Sequence, residues 1–81
     1  MVRQSGNHLE ALLIMLATAS GEDALESRKR VFNYARFTDD NLVVRQVKQI
    51  RQIRLLRQFL GVGVSGQINR AVNARLAELG G

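Results

Sequence analysis

The sequence predicts an all-α protein with four helices, one of them long and central. Proline is absent from all 81 residues, and the seven glycines cluster at a few places. Val, Ile and Thr do not alternate with polar residues over any long stretch, as they would in half-buried strands. A chain of this length forms one domain at most, so residues 1–81 are predicted to be a single helical domain.

Helices 1 and 2 are predicted from capping residues and charge. Ser5 or Asn7 is a candidate N-cap for helix 1, which runs to about Ala19. Ser20 is the candidate N-cap of helix 2, which has acidic residues in its first turns and the basic run Arg28–Arg30 further on. This charge order suits the helix macrodipole. The basic run therefore has a structural explanation, and contact with phosphate is the alternative.

Helices 3 and 4 are separated by the segment GVGVSG, residues 61–66. Thr38 is a candidate N-cap for helix 3, which is predicted to continue to about Leu60, a length of roughly 33 Å. Gly61 ends this helix, and Ser65 caps helix 4, which ends at Leu79 before two terminal glycines.

The segment VRQVKQIRQIRLLRQF, residues 44–59, repeats an apolar residue, a basic residue and usually Gln. Three residues on an α-helix turn about 300°, so the apolar stripe winds around the helix. Val43, Val47 and Ile50 face one way, whereas Leu56 and Phe59 face nearly the opposite way. One continuous helix with this pattern has apolar surface on two opposite sides.

A small subunit rarely covers both sides of such a helix, so the pattern predicts a homo-oligomer, intertwined or packed side by side, with a dimer favoured. Helix 1 is apolar nearly all round, which supports an interface made by helices 1 and 3. The alternative is a compact monomer with helix 3 at its centre. The predicted interface residues are Leu12, Leu13, Leu16, Ile53, Leu56, Phe59 and Leu60.

The positive charge lies in the second half of the chain. The formal net charge is +5, but residues 1–40 carry five basic and six acidic residues, whereas residues 41–81 carry seven basic and one acidic. An acid-free segment from Asn41 to Ala77 suggests a polyanionic partner, with nucleic acid first and an acidic protein or membrane surface next. A simple solvated helix surface is the alternative.

The candidate nucleic-acid contacts are the exposed basic residues of helices 3 and 4, which are Arg45, Lys48, Arg51, Arg54, Arg57 and Arg70. Arg predominates, and its guanidinium fork suits phosphate. The intervening Gln residues can contact phosphates or base edges. Arg75 either extends the patch or belongs to an interface. The structural alternative pairs these cations with acids of helix 2 across an interface.

Several patterns that resemble chemical motifs are assigned structural roles. GVGVSG matches a dinucleotide-binding fingerprint, but no strand precedes it and no βαβ unit surrounds it. It is interpreted as a helix connection whose free N–H groups near Ser65 have an alternative role in contacting phosphate. In FNYARF, Phe32 and Phe37 are predicted core residues, with Tyr34 as the exception.

Catalysis and cofactor binding are not expected from this sequence. Cysteine is absent and His8 is the single histidine, so no metal site is predicted. Asp39 and Asp40 are interpreted as helix-start residues. No serine has a plausible base, so the protein is predicted not to be an enzyme. The apolar run Ala11–Ala19 is too short to span a bilayer, which takes about 20 residues, and a cytoplasmic protein is expected.

The segment FTDDNLVVRQVKQIRQIRLLRQFLGVGVSGQI, residues 37–68, resembles the later part of MerR-type regulators and their chaperone-modulator relatives. Those families combine an aromatic-x-Asp-Asp start, a basic helix and an LGV…G turn. The basic helix here is longer by about one turn, and the preceding half lacks their winged helix-turn-helix pattern. Their base-reading residues therefore have no counterpart in this sequence, and the resemblance implies only a regulatory role.

These observations predict a small basic nucleic-acid-binding protein, regulatory or architectural, acting as a homodimer and preferring double-stranded DNA to RNA. No small-molecule substrate or cofactor is expected. The alternative is a non-enzymatic protein-interaction module, such as an adaptor, an inhibitor or a self-assembling subunit. Peripheral membrane attachment through helix 3 is a third and weaker possibility.

Overall fold

The computed structural model describes residues 7–80, and this part of the chain is all-helical, as predicted. It contains five helices rather than four. They are α1 (His8–Thr18), α2 (Glu22–Phe37), α3 (Asp40–Gln49), α4 (Ile53–Leu60) and α5 (Gly66–Leu79).

Three helices begin at side chains that cap their first backbone N–H groups. Asn7 accepts a hydrogen bond from the amide of Glu10, Asp39 from that of Asn41, and Ser65 from that of Ile68. The predicted caps Asn7 and Ser65 are therefore confirmed, as is Gly61 at the end of α4. Ser5, the other candidate, lies outside the described residues.

Two predicted caps are wrong. The N-cap of α2 is Gly21, with φ of 58°, and no side chain caps this helix. Thr38 ends α2 instead of starting α3, because its backbone N–H donates to the carbonyl of Tyr34. Each predicted cap lies one residue before the actual N-cap of its helix.

The basic run Arg28–Arg30 lies in the middle of α2, because this helix continues to Phe37. The macrodipole therefore does not explain the run, since the effect is confined to the last turn. Arg28 instead donates a hydrogen bond to the carbonyl of Gly61, at the C-terminus of α4. A cation at this position compensates the negative end of α4 and links α2 to it.

The predicted continuous third helix is wrong, because the helix is interrupted at residues 50–52. Ile50 ends α3 in an extended conformation, with φ of −77° and ψ of 131°, and Gln52 starts α4 with φ of −92° and ψ of 111°. The Arg75 guanidinium donates to the carbonyl of Ile50 at 2.9 Å, which satisfies a group left free by the interruption.

The interruption redirects the apolar side of α4 onto the same core as that of α3. Val47 and Leu56, which face opposite ways on a continuous helix, are both fully buried within one chain. The thirteen residues of this core are Leu9, Leu13, Val31, Ala35, Val43, Val47, Ile50, Leu55, Leu56, Phe59, Ile68, Val72 and Leu76.

The burial of both apolar sides removes the reason for placing a subunit interface on helices 1 and 3. Leu13, Leu56 and Phe59 have no exposed surface to offer a partner. The other predicted interface residues, Leu12, Leu16, Ile53 and Leu60, are partly buried against the core. All seven therefore contribute to the interior of the single chain.

Phe32 and Phe37 of α2 were predicted to be core residues, and this prediction is wrong. Phe32 is 39% exposed and Phe37 is 78% exposed. Tyr34 is half-buried, and its hydroxyl donates to Oε1 of Gln46 at 2.8 Å. Its ring lies 5.0 Å from that of His8, between centroids. Tyr34 and His8 thus join α2, α1 and α3, while the two Phe side chains face solvent.

Helices α1 and α5 both pack against the pair α3 and α4. Helix α1 packs mainly against α2, α3 and α4, whereas α5 packs against α3 and α4. Hydrogen bonds join the start of α5 to the start of α3, from Ser65 Oγ to Asp40 Oδ2 at 3.1 Å and from Gln67 Nε2 to Asn41 Oδ1 at 3.2 Å. Since Arg75 reaches Ile50 at the other end, α3 and α5 run side by side in the same direction.

Candidate nucleic-acid interface

All six predicted nucleic-acid contacts are exposed. Arg45 and Lys48 lie on α3, Arg54 and Arg57 on α4, and the other two are Arg51 in the turn and Arg70 on α5. Within residues 7–80, the single ion pair closer than 4.0 Å joins Arg75 to Glu78, at 3.2 Å. The six cations are therefore not neutralised by described carboxylates of the same chain.

On α3, the cations share a stripe with a residue that touches α5. Asn41, Arg45 and Lys48 are spaced by four and three residues, so they lie on one side of the helix. Asn41 is the residue that accepts the hydrogen bond from Gln67. Arg45 and Lys48 thus continue, along α3, the edge at which α3 meets the start of α5.

On α4, the two arginines project from the side opposite the core. Leu55, Leu56 and Phe59 are fully buried, while Arg54 and Arg57 are exposed and three residues apart. Helices α3 and α4 both pack on α5, so each of the two helices that contact α5 carries exposed cations.

The outward face of α5 carries mainly polar side chains in its first turns and mainly small side chains further on. Ile68, Val72 and Leu76 are buried. The exposed residues of α5 are Gly66, Gln67, Asn69, Arg70, Asn73, Ala74, Ala77 and Glu78. Sequence reasoning identified Arg70 but missed the amide side chains beside it. The available signal was the concentration of Asn, Gln and Arg just after a predicted N-cap.

Polar contacts hold several of these side chains at the start of α5. Gln67 is anchored to Asn41, and Asn73 Nδ2 donates to Oδ1 of Asn69 at 3.3 Å. The guanidinium of Arg70 lies over Gly66, 4.0 Å from the position of an added Cβ. The face therefore presents partly ordered donors and acceptors to solvent.

The N-terminus of α5 is a poor site for a phosphate. Ser65 Oγ accepts from the amide of Ile68 and donates to Asp40, so a carboxylate already lies at this helix start. Its negative charge disfavours a second anion there. The alternative role of the glycine segment in contacting phosphate is therefore not supported by the geometry.

Arg75 and two of the four Gln residues that were also considered as nucleic-acid contacts are partly buried within the fold. Arg75 is half-buried against Ile50 and Glu78, and thus serves the fold. Gln46 accepts a hydrogen bond from Tyr34, and Gln58 is half-buried. Gln49 and Gln52 remain exposed near the α3–α4 turn, together with Arg51.

A separate surface feature lies on α2. Leu25, Phe32 and Val62 line a groove of ≈ 390 Å³, with Arg28 and Lys29 at its rim. Leu25, in the first turn of α2, is 62% exposed. We call Leu25, Lys29, Phe32 and Arg36 the α2 stripe, since their spacing places them on one side of the helix.

No group of three or more metal-ligating side chains occurs among the described residues. Nor does any helix in residues 7–80 have the length and apolar character needed to cross a membrane. Comparison with protein-family models, curated proteins and solved structures finds no significant match to this chain. The resemblance to MerR-type regulators therefore has no support from a family match.

Proposed function

We propose that this protein binds double-stranded DNA, with α5 directed into the major groove and the cations of α3 and α4 contacting phosphates on either side. The observation that carries the proposal is the set of six exposed cations without carboxylate partners in the described part of the chain. Unpaired cations of this kind release counterions from DNA when they bind, which drives association.

The order of elements also supports this proposal. A short helix, α4, is followed by a glycine-containing connection and by the longer helix α5, as in helix-turn-helix proteins. Gly63 has φ of 92°, a conformation that favours glycine over other residues. In such proteins the first helix lies across the DNA backbone, so Arg54 and Arg57 of α4 are suited to phosphate contacts.

Double-stranded DNA is favoured over RNA for steric reasons. The major groove of B-DNA admits an α-helix, whereas that of A-form RNA is too deep and narrow for side chains to read. Single strands are bound by aromatic platforms, and the exposed aromatics Phe32 and Phe37 lie on α2 rather than on the basic helices. A regulatory protein acting in the cytoplasm fits this interpretation.

The proposal predicts a steep salt dependence. If each of the six cations neutralises one phosphate, the slope of log K against log salt concentration is about −5. Fluorescence anisotropy with a labelled random-sequence duplex at several salt concentrations measures this slope. Binding that is absent at low salt, or that does not change with salt, would contradict the proposal.

We also propose that two copies associate through the α2 stripe. The first turn of α2 is acidic, at Glu22 and Asp23, and its last turn carries Arg36. Antiparallel pairing of two such helices brings exposed Leu25 of one copy toward Phe32 of the other, and places Arg36 of each copy near the acidic first turn of the other. A second copy therefore covers the exposed apolar residues of the stripe.

Leu25→Glu is expected to abolish this association, because it places a charge in the apolar part of the stripe. Sedimentation equilibrium should show a concentration-dependent dimer for the unmodified protein and a monomer for the variant. Leu42→Glu is the matched control, since Leu42 is 43% exposed on α3. A monomeric unmodified protein would refute the dimer. If the stripe instead bound a different protein, the interaction-module alternative would be favoured.

A further inference from the structure

We infer that α5 reads base sequence in the major groove, through Gln67, Asn69, Arg70 and Asn73. This inference rests on the proposed DNA binding and goes beyond it, because phosphate contacts alone carry no sequence information. It assigns to four residues of one helix a preference for adenine and guanine.

The chemistry of the exposed face supports base contacts rather than phosphate contacts. Three of the four side chains are uncharged amides, which gain little from a phosphate. Asn and Gln present a donor and an acceptor side by side, which matches N7 and the N6 amino group of adenine. Arg presents two parallel donors, which match O6 and N7 of guanine.

The position of these residues on α5 also suits insertion into a groove. Recognition helices contact bases through their N-terminal residues, and all four lie within the first eight residues of the 14-residue helix. Beyond them the exposed face carries Ala74 and Ala77, whose small side chains allow close approach of the backbone. The single acid of α5, Glu78, lies near its C-terminus and pairs with Arg75.

The cations of the neighbouring helices support this placement of α5. Arg45 and Lys48 lie on α3 and Arg54 and Arg57 on α4, and both helices pack against α5. A helix in the major groove has one phosphate backbone on each side, and the inference places these cations against the two backbones. The side chains on α5 then face the base edges between those backbones.

Selection from a library of randomised duplexes tests the inference. The unmodified protein is expected to enrich a motif containing adenines and a guanine. The triple variant Gln67→Ala, Asn69→Ala, Asn73→Ala is expected to lose the adenine preference, with discrimination falling about 5- to 150-fold at each affected position. Arg70→Lys is expected to weaken the preference for guanine, because Lys lacks the planar fork.

The controls separate this inference from the proposed function. Asn33→Ala removes an exposed amide of α2, outside the candidate nucleic-acid interface, and should leave the motif unchanged. Circular dichroism verifies that each variant is folded. Salt-sensitive binding without any enriched motif, or an unchanged motif in the triple variant, would overturn base reading by α5 while leaving DNA binding intact. Absence of duplex binding at any salt concentration would overturn both.

Discussion

Replacing Arg54 and Arg57 together by Glu is expected to weaken binding to duplex DNA about 100-fold. Each arginine is proposed to make one charge-assisted hydrogen bond to phosphate, a kind of bond that contributes about 1.5–3 kcal/mol. Loss of two such contacts amounts to about 3 kcal/mol, and about 1.4 kcal/mol corresponds to a tenfold change in affinity. The salt-dependence slope should also become less steep by about 2.

The fold should tolerate this double variant, because both arginines are exposed and neither has a hydrogen bond or ion pair within the described chain. Anisotropy titration gives the affinity, and urea unfolding verifies stability. Arg57→Glu and Arg30→Glu form a matched pair of single variants with equal changes in net charge. Arg30 lies on α2, where it lines surface grooves with residues of α1 and α2, so its replacement should have little effect. Equal losses in both single variants would contradict a site on α4.

Phe59→Ala is expected to lower the free energy of unfolding by about 3–5 kcal/mol. Phe59 is fully buried and is the largest side chain of the core, so its truncation leaves a cavity among tightly packed neighbours. A domain of this size has a total stability of about 4–12 kcal/mol. The variant should therefore lose at least about a quarter of the total stability, and it is largely unfolded where that total lies at the lower end of the range.

Phe37→Ala is the control for this prediction, because Phe37 is the same residue type but 78% exposed. Its replacement should change the free energy of unfolding by about 0.5 kcal/mol or less. Urea denaturation followed by circular dichroism measures both variants. A small effect at Phe59, or an equally large one at Phe37, would show that the core is assembled differently.

Helix boundaries were predictable wherever a side chain or a glycine determines the local backbone. Asn7 and Ser65 supply oxygens to the first N–H groups of α1 and α5, and Gly61 and Gly80 end α4 and α5. These are local effects that sequence records directly. The start of α2 was missed because Gly21 adopts a positive φ that no side-chain cap marks.

The interruption between α3 and α4 was not predictable from local signals. No proline or glycine occurs in residues 50–52, and Ile and Gln are not helix breakers. The cause is tertiary, because breaking the helix buries Val47 and Leu56 in one core and Arg75 satisfies the released carbonyl. The signal in the sequence was the shift of the apolar residues to the opposite side of a continuous helix. It was interpreted as a subunit interface rather than as a change in the direction of the chain.

Only part of the candidate site could be predicted from the sequence. The cations were identified because the segment from Asn41 to Ala77 contains no acidic residue. Its basic residues therefore have no acidic partner close to them in the sequence. It did not show that the two helices that carry most of them pack against α5, since this depends on the tertiary structure. Without that arrangement, Gln67, Asn69 and Asn73 are only polar residues on a helix surface.

The central claim is that α5, flanked by the cations of α3 and α4, is the DNA-contacting surface. Titration of ¹⁵N-labelled protein with a short duplex, followed by amide and side-chain NH₂ chemical shifts, tests it most directly. The largest changes are expected at residues 66–74, with smaller ones at residues 45–57. Changes confined to α2, or none under low-salt conditions, would contradict the claim.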